Sequence, residues 1–208
     1  MRDWLPTWLS VIAGMVDVTG FLTLGNLFTA HVTGNLVVIA ALVVRGGQIN
    51  PGQILAVPVF GIAVAATWLI ARASGRRGEG LLRLLLLVQF LLVASLLVFS
   101  VITRPSAEPH GLMATIAAMI AVTAMGCQFT LLRLTLPVAP STAVMTGNLT
   151  NAVLGLMEAD RGRLSGALRL LVGFFIGCVT AAAVVRYLGD WTWSLPAVLA
   201  GLVMVSTR

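Results

Sequence analysis

The sequence predicts an all-α, polytopic helical transmembrane protein of about eight spans (six or seven also fit), built from two homologous repeats. Three observations predict it: the composition, the spacing of the apolar stretches, and a polar motif that occurs twice. Of the 208 residues, 59% are hydrophobic and 10% charged, and the mean hydropathy is +1.02. A soluble domain carries about 25% charged residues to keep its surface wetted. Thirteen basic and seven acidic side chains cannot do this, so most of the solvent must be lipid. That excludes a soluble enzyme, a nucleic-acid-binding module and a disordered chain. Every basic residue is arginine, and the net charge is +6. These arginines sit between apolar runs, where they anchor helix ends at the headgroups.

A helix needs about 20 apolar residues to cross ~30 Å of hydrocarbon. Eight stretches approach that length: Leu5–Leu24, Phe28–Val44, Ile54–Ala71, Leu81–Ile102, Gly111–Leu132, Thr142–Met157, Leu164–Tyr187 and Trp191–Ser206. The first follows Arg2 as a signal peptide would. Asp17 and Gly20 interrupt it, however, and no small-x-small cleavage site ends it, so it reads as a retained span. The connections carry turn signals: Gly25-Asn26, Arg45 to Gly52, Gly75 to Gly80, Arg104-Pro105, Pro137 to Pro140, and Glu158 to Arg163. Trp4, Trp8, Tyr187, Trp191 and Trp193 fall near span ends, as an aromatic belt requires. No run shows the period-two alternation of a barrel wall. Cys127 and Cys178 lie inside apolar stretches and read as small buried hydrophobes. Leaving aside Arg169, just inside the seventh stretch, eight spans would put six arginines on each side of the membrane. The dense group from Arg72 to Arg83 then favours a cytoplasmic loop there.

The repeat is the strongest signal. Residues 28–37 read FTAHVTGNLV and residues 141–150 read STAVMTGNLT, agreeing at six of ten positions. Five of the six are polar or small, whereas lipid-facing helices would share leucine and valine by chance. Gly14 and Asp17 precede the first motif much as Gly126 and Gln128 precede the second. Gly61 and Ala65 follow the first, and Gly173 and Gly177 the second, each pair at the i, i+4 spacing that lets helices approach closely. Residues 1–102 and 103–208 therefore read as two repeats of four spans. An even number of spans gives copies of one orientation, and an odd number would invert them. Matching short, glycine-interrupted segments in two halves point to a transporter binding site.

Asn35, Asn148, Thr33 and Thr146 must find partners in the bilayer, where an unpaired polar group costs several kcal/mol. Gly34 and Gly147 loosen the helix between them. These residues either line a site or bridge helices. Asp17 is the one acid well inside an apolar stretch. Its charge costs about 2.5–3.5 kcal/mol there, and such residues face the bundle interior or a cavity. A carboxylate that exchanges a proton would serve a proton-coupled carrier; a purely structural carboxylate would instead bond an arginine, Thr19 or Thr23. Gln128 is its neutral counterpart. His31 lies four residues before Asn35 on one helical face, and Asn151 extends the polar face of the sixth span. Neither a metal ligand set nor a nucleophile with its base is visible, and no cofactor is expected.

The Gly14-x-x-Asp17 start, the stretch Phe28 to Asn35, and Gly126-x-Gln128 followed by Met145-Thr146-Gly147-Asn148 resemble the YoaK family of small bacterial inner-membrane proteins. The resemblance covers nearly the whole chain. Threonine is common in that family where Asn148 stands, and methionine where His31 stands. The resemblance implies a multi-pass protein of the inner membrane and supplies no substrate. Two functions from different classes fit. One is a small secondary transporter of a small polar solute, with H+ as a candidate coupling ion and Asp17, Asn35, Gln128 and Asn148 around a central site. The other is a non-transporting interaction or assembly protein whose Thr-Gly-Asn motifs pack helices; a passive channel is a third reading. A homodimer is compatible with the small-residue faces.

Overall fold

The computed structural model describes residues 4–136, 142 and 144–207. Arg2, Asp3, the Pro137–Pro140 connection, Ala143 of the second motif and Arg208 lie outside the described residues. Eight α-helices follow one another: α1 (Leu5–Thr23), α2 (Gly34–Arg45), α3 (Pro51–Ala73), α4 (Gly78–Thr103), α5 (Leu112–Thr135), α6 (Met145–Met157), α7 (Arg161–Leu188) and α8 (Ser194–Ser206). Short 3-10 turns occupy Pro105–Ala107 and Gly189–Trp193, and no strand occurs among the described residues. Local chemistry sets several boundaries. Asn50 caps α3 by accepting from the Gly52 N–H, with Pro51 at the first helical position. Asp160 caps α7 through the Arg163 N–H. Gly46 ends α2 in the left-handed region, at φ 71°.

Five helical stretches among the described residues are long and apolar enough to cross a membrane. They are α1, α3, α4, α5 and the 46-residue run Arg161–Ser206 that holds α7 and α8. The expected eight spans are not all found as helices of that length. α2 has 12 residues and α6 has 13, or about 18–20 Å at 1.5 Å per residue, well short of the hydrocarbon. The stretch Phe28–Val44 turns helical only at Gly34, because side chains of Asp17 and Asn35 bond the backbone of Phe28, Thr29 and Ala30.

Contacts fix the direction of each helix. α7 runs parallel to α1, with Gly173 against Thr7, Gly177 against Val11, and Cys178 against Gly14. The Ser10 hydroxyl donates to the Leu170 carbonyl at 2.8 Å. α5 runs opposite to α1. Its start lies by Gly25, just past the end of α1, while Gln128 near its far end reaches the Leu9 carbonyl. α3 is parallel to α5, with Gly126 against Phe60 and Ala63. α8 returns along α4: Arg83 donates to the Thr207 carbonyl at one end, and Ser106 donates to Asp190 at the other.

The excursion through α2 starts and finishes at one end of the bundle. Asn50 Nδ2 donates to the Leu24 carbonyl at 3.0 Å, so α3 begins where α1 stops. The core is built from Leu9, Ile12, Ala13 and Val16 of α1 with Ala117, Ala118, Ala121 and Val122 of α5. Of α2, Asn35 alone is buried.

Candidate functional site

Asp17 sits on the buried side of α1, two turns before the helix ends, and is 4% exposed. After Gly25 and Asn26, both at positive φ, the chain turns back beside α1. Gly20 permits this close approach, since a Cβ there would strike the Thr29 methyl. The returning segment then delivers its donors to one carboxylate. Asp17 Oδ1 accepts from the Thr29 N–H at 2.7 Å, the Ala30 N–H at 2.8 Å and the Thr29 hydroxyl at 3.3 Å. Oδ2 lies 2.7 Å from His31 Nδ1. Hydrogen bonds to an ionised group are roughly twice as strong as neutral ones, so they offset the desolvation of this carboxylate.

His31 is the partly open member of the pair, its side chain 29% exposed against 5% for that of Asp17. Its ring meets Phe174 of α7 edge-on at 5.0 Å. Asn35 closes the segment from the other side. Its Oδ1 accepts from the Phe28 N–H and its Nδ2 donates to the Phe28 carbonyl. Gly34 leaves room for the Phe28 ring, 3.0 Å from where a Cβ would stand. Thr33 is exposed at the N-cap of α2 and makes no side-chain cap bond. Asp17, His31 and Asn35 are thus joined in one construction around Phe28–His31. The expected alternative partners of Asp17, an arginine or Thr19 and Thr23, are not those it takes. The Thr23 hydroxyl bonds the Thr19 carbonyl.

Gln128 anchors a second construction. Its Nε2 donates to the Leu9 carbonyl at 2.9 Å and to the Thr142 hydroxyl at 3.3 Å. Its Oε1 accepts from Gln89 Nε2 at 2.6 Å. Thr142 occupies the place in the second motif that Thr29 holds in the first. Asn148 is buried and within 3.7 Å of the Met145 sulfur; Thr146 is exposed and Gly147 packs on Val144. Leu9 and Asp17 are eight residues apart on α1, so the two constructions lie about 12 Å apart along the helix. Between them Ile12, Ala13, Val16, Val122 and Met125 are buried.

Other expected residues fall elsewhere. Asn151 accepts from the Arg163 guanidinium at 3.0 Å, while Arg163 also donates to Glu158. It clasps the α6–α7 hairpin. Gly173 and Gly177 face α1, but Gly61 has open space around it and Ala65 is exposed, so among the described residues this pair packs against no helix. The small residue that α3 does use is Ala63, against Gly126. Asn50 and Gln53, buried at the base of the excursion, escaped the sequence reading; Gln53 Nε2 donates to the Asn26 carbonyl at 3.2 Å. Their signal was the Asn-Pro helix start. Among the described residues no three His, Cys, Asp or Glu side chains gather as metal ligands would.

A family model described as "Protein of unknown function (DUF1275)" matches residues 5–206. The UPF0700 transmembrane protein YoaK of Bacillus subtilis (strain 168) is 41% identical over 49 residues. That alignment covers 24% of this chain and 22% of the relative. No solved structure matches. Matched over nearly its whole length, the chain belongs to the DUF1275 family of membrane proteins.

Proposed function

We propose that the protein is a small secondary transporter of a small polar solute, resident in the bacterial inner membrane. It has six crossings, made by α1, α3, α4, α5, α7 and α8, the last lengthened by the 3-10 turn Gly189–Trp193 that leads into it to about 30 Å, and two re-entrant segments ending in α2 and α6. Three crossings per half is odd, so the halves are inverted repeats: α1–α4 correspond to α5–α8. The antiparallel course of α1 and α5 supports this, as does the exchange of partners, α7 on α1 and α3 on α5. The arginines support it independently. With eight crossings they divide evenly. With six, Arg2, Arg72, Arg76, Arg77, Arg83, Arg133, Arg161, Arg163 and Arg208 share one face, against Arg45, Arg104 and Arg186 on the other. The first face is then cytoplasmic.

The observation that carries the transporter reading is the pair of constructions at Asp17 and Gln128. Each ties a threonine of a Thr-Gly-Asn segment, and the segments approach from opposite ends of the bundle. Non-helical backbone at membrane depth is tolerated where protein buries it or a cavity needs it, and inverted broken helices are the architecture of alternating access. The buried layer from Ile12 to Met125 separates the two ends, so solute passage requires the segments to move in turn.

The test is solute counterflow, which needs no ion gradient. Proteoliposomes preloaded with a mixture of unlabelled amino acids and small carboxylates are diluted into traces of the labelled compounds. Transient accumulation of at least one label, saturating with concentration and missing from empty vesicles, is expected. Its absence across the panel, or uptake that rises linearly without saturation, overturns the reading. One observation favours the packing role instead: Asn35 spends both ends of its amide on Phe28. A pure assembly protein would show no counterflow and no solute-dependent stabilisation.

A further inference from the structure

Resting on that reading, we infer that transport is gated by a proton taken up and released at the outer face alone, through His31 to Asp17. This proton unlatches the outer re-entrant segment, while the inner segment is held by a latch that protons do not touch.

The two latches occupy equivalent places and differ in chemistry. The outer one is a carboxylate that accepts from two backbone N–H groups and a hydroxyl. The inner one is the amide of Gln128, bonded to Leu9, Thr142 and Gln89, with no group able to take up a proton near neutral pH. Asp17 is buried, and its polar contact toward the partly open side is the imidazole of His31. With His31 neutral and Nδ1–H donating to the Asp17 carboxylate, a proton from outer water adds to Nε2. The Nδ1 proton then passes to Oδ2. Imidazole ends neutral with its hydrogen on Nε2, the carboxyl ends neutral, and one proton has been taken up. The bonds from Thr29 and Ala30 then lose their charge assistance, and the segment is free to move.

Few other ionisable groups face the pair. α1 contributes none besides Asp17 among its described residues. α7 brings Phe174 and the thiol of Cys178, which donates to the Gly14 carbonyl. The nearest charges on α7 are Arg169, five residues before Phe174, and Arg186, eight residues after Cys178, about 8 and 12 Å along the helix. α8 carries no ionisable residue. His110, from the α4–α5 connection, packs at Gly25 at the segment's base.

The experiment places a trifluoromethyl-labelled cysteine on either exposed motif threonine, Thr33→Cys or Thr146→Cys, in a chain with Cys127→Ser and Cys178→Ser. Fluorine spectra are recorded in micelles as the pH falls from about 8 to about 5. The residue-33 probe should develop a second resonance as pH falls, and the residue-146 probe should not. His31→Gln, which keeps a donor but cannot relay a proton, should abolish the response. Gln128→Glu should confer one on the residue-146 probe. A residue-33 probe blind to pH, or two probes responding together in the parent chain, overturns the inference. No solute enters this measurement, so it fails independently of counterflow: counterflow with a silent residue-33 probe leaves a transporter whose outer segment is released otherwise, and sinks this proposal alone.

Discussion

Asn35 and Phe28 hold each other through both ends of one amide, Oδ1 accepting at 2.9 Å and Nδ2 donating at 2.8 Å. The pair imitates a strand bridge where no strand exists, and it fixes the point at which α2 can start. Asn35→Ala strips partners from a buried peptide group, at a cost of about 1–3 kcal/mol. Asn35→Asp keeps the acceptor but sets a second oxygen against the Phe28 carbonyl and adds a buried charge, so it should cost at least as much as Asn35→Ala. Thermal unfolding in detergent should rank the parent above Ala, with Asp no higher than Ala.

The crossing number is open to chemical labelling. Single cysteines at Gln48, Arg76, Ala107 and Arg161, in a chain lacking Cys127 and Cys178, are reacted with an impermeant maleimide in intact cells. Six crossings put residues 76 and 161 on one face, and 48 and 107 on the other. Eight would group 161 with 48 and 107 instead, so residue 161 decides.

Close packing of α1 on α7 depends on glycine at three places. A Cβ at Gly177 would be driven into the Val11 carbonyl, and one at Gly14 into that of Phe174. Gly177→Ala should cost about 1–3 kcal/mol, as overpacking does. Gly61→Ala, which meets nothing, should change stability by less than about 0.5 kcal/mol. Similar losses at both positions in a thermal-shift comparison would contradict these packing assignments.

Gln89 and Gln128 share one bond at 2.6 Å in the core. Gln89→Leu leaves Gln128 with an idle oxygen, and Gln128→Leu strands Gln89 and takes one donor from Thr142 and one from the Leu9 carbonyl, which the α1 backbone still bonds. Each single change should cost about 1–3 kcal/mol. The double change should cost less than their sum by about 0.5–3 kcal/mol, the range found for residues in one network. Strict additivity in a double-mutant cycle would argue that the bond contributes little.

Asn151 belongs to the hairpin clasp with Arg163 and Glu158. Asn151→Ala should leave counterflow at the parent level and lower stability by less than about 1 kcal/mol, as expected of a partly exposed cluster. A loss of transport at unchanged stability would return Asn151 to the solute path.

Much of the fold was legible. Hydropathy located all eight apolar stretches, because lipid imposes one solvent on every residue of a span. The turn-back after α1 was not legible, since Phe28–Val44 as a whole is as apolar as a crossing segment and no window distinguishes going through from turning back. Asp17 was picked out by its cost. Its partners could not be read, because Thr29 and Ala30 supply backbone N–H groups that no side-chain pattern announces. Thr29 and Thr142 did stand in the self-match, and their shared role as the tied residue explains why that match is polar. Gly61 with Ala65 and Gly173 with Gly177 have the same spacing, yet spacing does not say which face of a helix has a neighbour.

The order in which the chain is made gives the α1–α7 contact a further meaning. Gly14 of the first helix waits for Cys178, 164 residues later, and Ser10 waits for Leu170, 160 residues later. At about 5–20 residues per second of synthesis, that delay is many seconds, during which the first helix rests in lipid without its principal partner. Asp17 does not share the wait. Its donors follow within 12 to 14 residues, so the costliest group in the membrane is satisfied almost as soon as it leaves the ribosome. The nascent protein can thus carry its carboxylate safely through assembly while its helices are still finding one another.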